Sequence, residues 1–190
     1  MLLIFKQLLY HTIINMTIGR KNSKIPVSAF IICKNEEDRI SYAIKSVIDL
    51  VDEVVLVDSG STDKTIEIAK KLGVSKIFYN EWKGYGQQKL FAEKKCKNDW
   101  VLNIDADEEL TPRLQEELKK IFGKNPQKSA YYVDIKICSR FTNKVPPIGP
   151  EDIVIRLYNK KKASYSSHEI HDAVKLKSGA TGKLKSYIKH

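Results

Sequence analysis

Trp100-Val101-Leu102-Asn103-Ile104-Asp105-Ala106-Asp107-Glu108-Glu109-Leu110 is the stretch on which the fold turns. Residues 100–104 form an apolar, strand-like run that ends in Asp105, Asp107, Glu108 and Glu109. A buried strand that releases carboxylates at its carboxyl end suits an open α/β sheet, whose ligands bind in the crevice beyond the strand ends. Asp-X-Asp at such an exit can aim two carboxylates at one hard cation. The plainer alternative is a solvated acidic loop leading into the next helix.

Upstream, two more apolar runs have the same form. Residues 27–33 form an unbroken apolar run, as expected of a strand buried on both faces. Asn35 and Glu36 follow it, then a helix to about Leu50 with Ile40, Ile44, Val47 and Ile48 on its inner stripe. Residues 53–58 are a second strand ending in Asp58. Gly60 then permits a tight turn, Thr62 or Asp63 can cap a helix to about Leu72, and Gly73 ends it. A short strand at 76–79 and a helix from Gln87 to about Cys96 complete the approach to Trp100. After the acids, Thr111 followed by Pro112 starts another helix, to about Phe122. This alternation of strand and helix predicts a parallel sheet wound with helices. Beyond Lys128 the rhythm changes. Residues 130–139 and 153–158 read as strands with no helix between them, which predicts a small antiparallel part.

Composition sets the bounds. The chain has 190 residues, 42% of them hydrophobic, enough for one sizeable core. Its net charge of +10 lies at the ends. Residues 1–24 hold four basic and no acidic groups, and residues 153–190 hold nine basic against two acidic, so the segment between is close to neutral. Basic flanks suit an anionic surface or substrate. Nucleic acid is disfavoured because no aromatics are interleaved on a basic face and no known motif is present. Cys33, Cys96 and Cys138 are few and unpaired in spacing, which points to a reducing compartment rather than a disulfide or zinc scaffold. Residues 1–16 are apolar but interrupted by Lys6, Gln7 and His11, too broken to cross a bilayer. They lack the form of a secretory signal, permit an interfacial helix, and leave Met16 as an alternative start. Neither G-x-G-x-x-G nor a P-loop is present, which argues against a dinucleotide fold and excludes a P-loop nucleotidase. Receiver domains also carry strand-end acids, but they do not explain the antiparallel second half.

Taken together and in order, VSAFIICKNEEDRI (27–40), VDEVVLVDSGSTDKT (51–65), GYGQQK (84–89) and WVLNIDADEEL (100–110) resemble the family-2 glycosyltransferases of the GT-A fold. The nearest likeness is to bacterial lipopolysaccharide-core glucosyltransferases. The resemblance implies an α/β GT-A domain over 25–190 behind a basic, apolar extension at 1–24. It implies a UDP-sugar donor, a Mg²⁺ or Mn²⁺ ion, and transfer with inversion to a lipopolysaccharide-core or other lipid-linked acceptor. The place implied is the cytoplasmic face of the membrane. Asp105 and Asp107 match the Asp-X-Asp motif that holds the metal on the donor diphosphate. Asp58 matches the acid that meets the base, Asn35 and Glu36 the first nucleotide loop, and Gln88 and Lys89 a loop and helix beside the donor. Ile170-His171-Asp172 fits the region that often reads Val-His-Glu, which makes Asp172 the expected general base and Glu169 the second choice. His190 matches a late histidine near the metal, expected to be loosely placed as the last residue. Relatives usually continue further, so the domain is expected to be short at its carboxyl end. The rival expectation is a remnant that binds nucleotide-sugar or membrane without turnover.

Overall fold

A computed structural model describes residues 24–138, 151–166 and 173–190. The acids Glu169 and Asp172 lie outside the described residues. The elements run β1 (Ile25–Cys33), α1 (Ile40–Val47), β2 (Val51–Asp58), α2 (Thr65–Lys71), β3 (Lys76–Tyr79), α3 (Tyr85–Lys95), β4 (Trp100–Asn103), β5 (Glu109–Leu110), α4 (Pro112–Gly123), β6 (Ala130–Lys136), β7 (Glu151–Asn159), β8 (Ala163–Tyr165), β9 (Val174–Leu176) and β10 (Thr181–Lys189). Eight strands form one sheet in the order β3-β2-β1-β4-β7-β6-β10-β5, and β8 pairs with β9 separately.

The first four strands of that order run parallel. β7 is antiparallel to both β4 and β6, β10 is parallel to β6, and β5 closes antiparallel on β10. β1 shows why its sequence is continuously apolar. Val27, Ala29, Ile31 and Cys33 pack on one face with α1, α2 and α4, while Phe30 and Ile32 pack on the other with Ala92 and Cys96 of α3 and its end. Period-2 alternation puts side chains on both faces, and here both faces are core. Phe30 and Ile31 are fully buried, and each such side chain is worth about 1.5–3 kcal/mol relative to exposure.

The ends of the elements follow local chemistry. Asn35 takes φ 55°, and Ile40 N donates back to Glu36 O at 2.8 Å. The expected helix therefore starts at Ile40, after a turn. Asp63 accepts from Thr65 N at 2.9 Å ahead of α2, and Gly73, at φ 89°, terminates that helix. Pro112 takes the first helical position of α4, and Thr111 Oγ1 accepts from Leu114 N at 3.3 Å. β4 stops at Asn103, which leaves Ile104 and the acids in the exit loop. The antiparallel part is larger than the sequence suggests. The basic stretch after Gly179 is β10, an internal strand whose Leu184 and Ile188 are buried.

Candidate functional site

The registers place Cys33 beside Asp58 and Phe30 beside Asn103, so the exits of β1, β2 and β4 fall on one edge of the sheet. The exits of β1 and β4 send polar groups into one crevice, and the β2 exit loop is tied to the β1 loop beside it. A cleft of about 590 Å³ opens there, lined among others by Cys33, Glu36, Trp82, Tyr85, Asp107 and His190. A larger hollow of about 840 Å³ lies against α1, beside Arg39 and Tyr42, and shares Asp107, Glu108 and His190 with the first. The smaller cleft takes in the β1 exit and the start of α3, where the sequence motifs converge.

The loops after β1 and β2 are tied to each other. Asn35 Oδ1 accepts from Thr62 N at 2.8 Å, and Asn35 N donates to Ser61 Oγ at 2.9 Å. Glu36 N donates to Thr65 Oγ1 at 2.7 Å, and its carboxylate meets Arg39 at 2.7 Å. Burial, opposed by Arg39 and assisted by the charge of Asp107, leaves the Glu36 carboxyl above the usual carboxylate range. Asp58 accepts from Gly60 N at 2.9 Å, Ser61 N at 3.0 Å and Ser61 Oγ at 2.5 Å. In this arrangement its carboxylate shapes the turn that carries Ser59 to Thr62. Gln88 is fully buried. Its amide donates to Ser59 Oγ at 2.8 Å and accepts from Asn80 Nδ2 at 2.6 Å, which pins β3 and α3 under that loop.

The two acids of Asp-X-Asp face different surroundings. Asp105 lies 3.0 Å from Lys89 Nζ and 2.7 Å from Arg156 Nη2, both buried cations. Burial alone would raise its carboxyl. The Arg156 guanidinium and Lys89 ammonium overcome burial and hold it well below the usual range. Arg156 is buried and also donates to Glu108 Oε1 and Asn103 Oδ1, each at 2.5 Å. Glu108 Oε2 accepts from Asp105 N at 2.9 Å. Burial, with Asp105 beside it, pushes the Glu108 carboxyl up against the pull of Arg156. Asp107, as accessible as Asp105 and lining the same cleft, meets the exposed Arg39 Nη1 at 3.3 Å and His190 Nε2 at 3.1 Å. His190 is held in place as a continuation of β10: its N donates to Lys136 O at 2.9 Å, and its O accepts from Cys138 N at 2.7 Å. The looseness expected of a terminal residue is not what is found.

Sequence reading left Arg156, Arg39 and Asn103 without roles. Arg156 carried a signal: it is the lone charge inside the apolar run 153–158, and a buried arginine needs a carboxylate partner. Arg39 and Asn103 carried none, since neither residue type nor spacing marks them. Among the described residues no group of three or more His, Cys, Asp or Glu is arranged as a closed metal site. Asp105, Asp107 and the exposed His190 offer two carboxylates and one imidazole to the cleft.

Comparison with known proteins agrees with this architecture. The sequence profile described as "Glycosyl transferase family 2" matches residues 28–179. An uncharacterized glycosyltransferase of Rickettsia typhi is 49% identical over 153 residues, covering 78% of this chain and 52% of that protein. The lipopolysaccharide core biosynthesis glycosyltransferase LpsC of Rhizobium meliloti is 33% identical over 156 residues, covering 80% of this chain and 57% of that protein. The solved structure of S. aureus TarS 1-349 superposes with a TM-score of 0.62 at 17% identity, over 88% of this chain and 60% of that one, which shows a shared fold. The chain spans about half the length of the curated relatives it matches. With the profile running from β1 into the segment before β10, the chain belongs to glycosyl transferase family 2.

Proposed function

We propose that this chain carries the donor site and acceptor-activating acid of an inverting glycosyltransferase. It would move a sugar, with glucose the first candidate, from a UDP-sugar to a lipopolysaccharide-core or other lipid-linked glycan. The observation that carries the reading is the division of the two acids. Both line the same cleft, but Asp105 is paired with two buried cations, whereas Asp107 meets the exposed Arg39 and His190. The relationship to LpsC supports the acceptor class.

The leaving group in such a transfer is a nucleoside diphosphate, and its departure needs charge neutralisation. Mg²⁺ or Mn²⁺, held by Asp107 with His190 alongside, would supply it when bound. Such ions take one or two carboxylates plus phosphate oxygens and water, which an open Asp–His pair fits. Asp105, in the same cleft, is proposed as the second carboxylate for the ion, and its pairs with Lys89 and Arg156 also fix the exit loop. Arg39, half-exposed beside Asp107, is placed to pair with phosphate once Asp107 is engaged. Asn35 and Glu36 hold the first nucleotide loop, and Asp58 orders the turn that meets the base. Gln88 and Lys89 act from beneath.

The acceptor hydroxyl must lose its proton on the far side of the sugar. Asp172 is proposed as that base, with Glu169 as the alternative. Ser166 N donates to Ala173 O at 3.1 Å, and both candidate acids lie outside the described residues. Among the described residues no helix is long and apolar enough to cross a membrane. The basic flanks support peripheral attachment at the cytoplasmic face.

Calorimetric titration with UDP-glucose and other UDP-sugars, with and without Mn²⁺, tests the proposal. Metal-dependent binding in the parent and its loss in Asp107→Ala, with the melting temperature unchanged, is the expected outcome. Equal donor affinity in parent and variant removes the metal role of Asp107, and no binding of any UDP-sugar by the parent removes the donor assignment.

A further inference from the structure

Helix α3 opens on an exposed aromatic pair. Trp82 and Tyr85 are 44% and 56% exposed, and both line the cleft of about 590 Å³ that takes in Asp105, Asp107 and Arg156. Gly84, at φ 101°, turns the chain between them. Their rings meet edge to face, with centres 4.8 Å apart at 90°. A single exposed aromatic is ordinary on a protein surface. Two in contact, on the wall of a cleft lined by carboxylates, form an apolar patch inside a polar site, and such a patch marks where a ligand rests.

The helix fixes where the pair stands. Lys89 reaches Asp105 at 3.0 Å, and Gln88 holds Ser59 of the β2 exit turn at 2.8 Å. Residues four apart share a helix face, so Tyr85 lies one turn before Lys89 on the face that meets Asp105. The turn at 59–62 is not among the described residues that line this cleft. The aromatic pair is therefore on the side of the acids. A pyranose ring carries C–H groups on its faces and hydroxyls around its rim. Aromatic rings suit the faces, and carboxylates and arginine suit the rim, which is the lining found here. We propose that Trp82 and Tyr85 form the platform on which the sugar ring of the nucleotide-sugar donor packs, so that they bind the transferred sugar and not the nucleotide. The inference rests on the donor reading above and deepens it. In such a donor the sugar hangs from the phosphate farther from the base. A platform beside the acids proposed for the diphosphate, and apart from the turn proposed for the base, meets the sugar.

The test separates sugar from nucleotide. Calorimetric titration of the whole chain with Mn²⁺ present compares UDP with UDP-glucose, UDP-galactose and UDP-N-acetylglucosamine. The proteins are the parent, Trp82→Ala, Tyr85→Ala and Tyr85→Phe. For the UDP-sugar that the parent binds most tightly, Kd should rise about tenfold in each alanine variant, the scale of one lost aromatic contact, with Kd for UDP within about twofold. Tyr85→Phe should keep the parent's affinity for both, because the ring does the packing. Both side chains are exposed, so all variants should melt within about 2 °C of the parent. Trp82 supplies a second readout. Its emission should change more with the UDP-sugar than with UDP, and that difference should vanish in Trp82→Phe. Equal losses for UDP and UDP-sugar overturn the proposal, because the pair then meets the nucleotide. Affinities unchanged in both alanine variants overturn it too, and reduced binding of those variants to anionic vesicles would then turn the pair toward a lipid surface. A parent that binds UDP but none of the UDP-sugars overturns the platform alone. A parent that binds neither removes the donor reading and the platform with it.

Discussion

Replacing Arg156 by methionine tests the buried charge network at its centre. The guanidinium serves Asn103, Asp105 and Glu108 at 2.5–2.7 Å. Methionine keeps most of the length and fills the space, but leaves two carboxylates facing each other with Lys89 as the remaining cation among these partners. Breaking a buried pair by removing one member costs about 3–5 kcal/mol. For a domain of this size each kcal/mol lowers the melting temperature by about 2–4 °C, so Arg156→Met should melt about 6–20 °C below the parent at pH 7. The pH dependence carries a sign. In the parent, the lowered Asp105 carboxyl contributes stability that is present above its unfolded value and lost only as pH falls through its low folded value. The raised Glu108 carboxyl works the other way: its contribution is full below its unfolded value and is lost as pH rises through the folded one. Without Arg156 both carboxyls move up, the folded variant takes up a proton more readily, and its deficit should shrink between pH 7 and pH 5. Adding Glu108→Gln should recover part of the loss by removing one stranded charge. Thermal melts of the parent and both variants at the two pH values decide it. A single variant that melts within about 2 °C of the parent at pH 7, or whose deficit grows toward pH 5, refutes the network argument.

Asp172→Asn should lower transfer about 10²–10⁴-fold with donor affinity retained, and Glu169→Gln should cost less; a near-normal rate in Asp172→Asn with a large loss in Glu169→Gln moves the base to Glu169. Vesicle sedimentation should show binding to anionic vesicles that weakens with salt, at about 1 kcal/mol per basic group near the surface. Salt-insensitive binding would locate the attachment in residues 1–16 instead. Burial, reinforced by the Asp58 carboxylate, pushes the Cys33 thiol well up, and burial with Glu53 pushes Cys96 up to about 12. Native protein at pH 8 should therefore be alkylated by iodoacetamide at Cys138 before either, and labelling of Cys33 without unfolding contradicts its placement.

The parallel half of the sheet was legible because its physics is local. Strands covered on both faces must be apolar throughout, and their helices announce themselves by capping groups such as Thr111 and by Gly73. The antiparallel half was legible only where the same rule held, in β6 and β7. β10 escaped because its register against β6 slips between Lys183 and Tyr187. Its buried residues, Leu184 and Ile188, are separated by Ser186 at the intervening position and flanked by lysines, so the apolar alternation that marks a half-buried strand is broken. Nine residues of sheet therefore read as a basic tail, and His190 read as a loose end when it continues a paired strand.

The site was legible as a set of acids and illegible as a division of labour, because the deciding partners are remote in sequence. Asp105 and Asp107 are the same residue type two positions apart. What separates them is Lys89 from α3 and Arg156 from β7 on one side, and Arg39 and His190 on the other. The consequence is measurable without any ligand. Asp105→Asn replaces an acceptor of two cationic donors with an amide that must turn a donor toward one of them, and it leaves Lys89 and Arg156 less than fully compensated. A loss of about 3–5 kcal/mol is expected, or at least about 6 °C in melting temperature. Asp107→Asn removes half-exposed pairs screened by water, worth about 0–1 kcal/mol, so it should melt within about 2–4 °C of the parent. Metal-dependent UDP-sugar binding should rank them differently: it is lost in Asp107→Asn and, in whatever fraction of Asp105→Asn remains folded, reduced through the loosened exit loop. If Asp107→Asn is the less stable variant and Asp105→Asn the one that melts like the parent, the division of partners between the two acids is refuted.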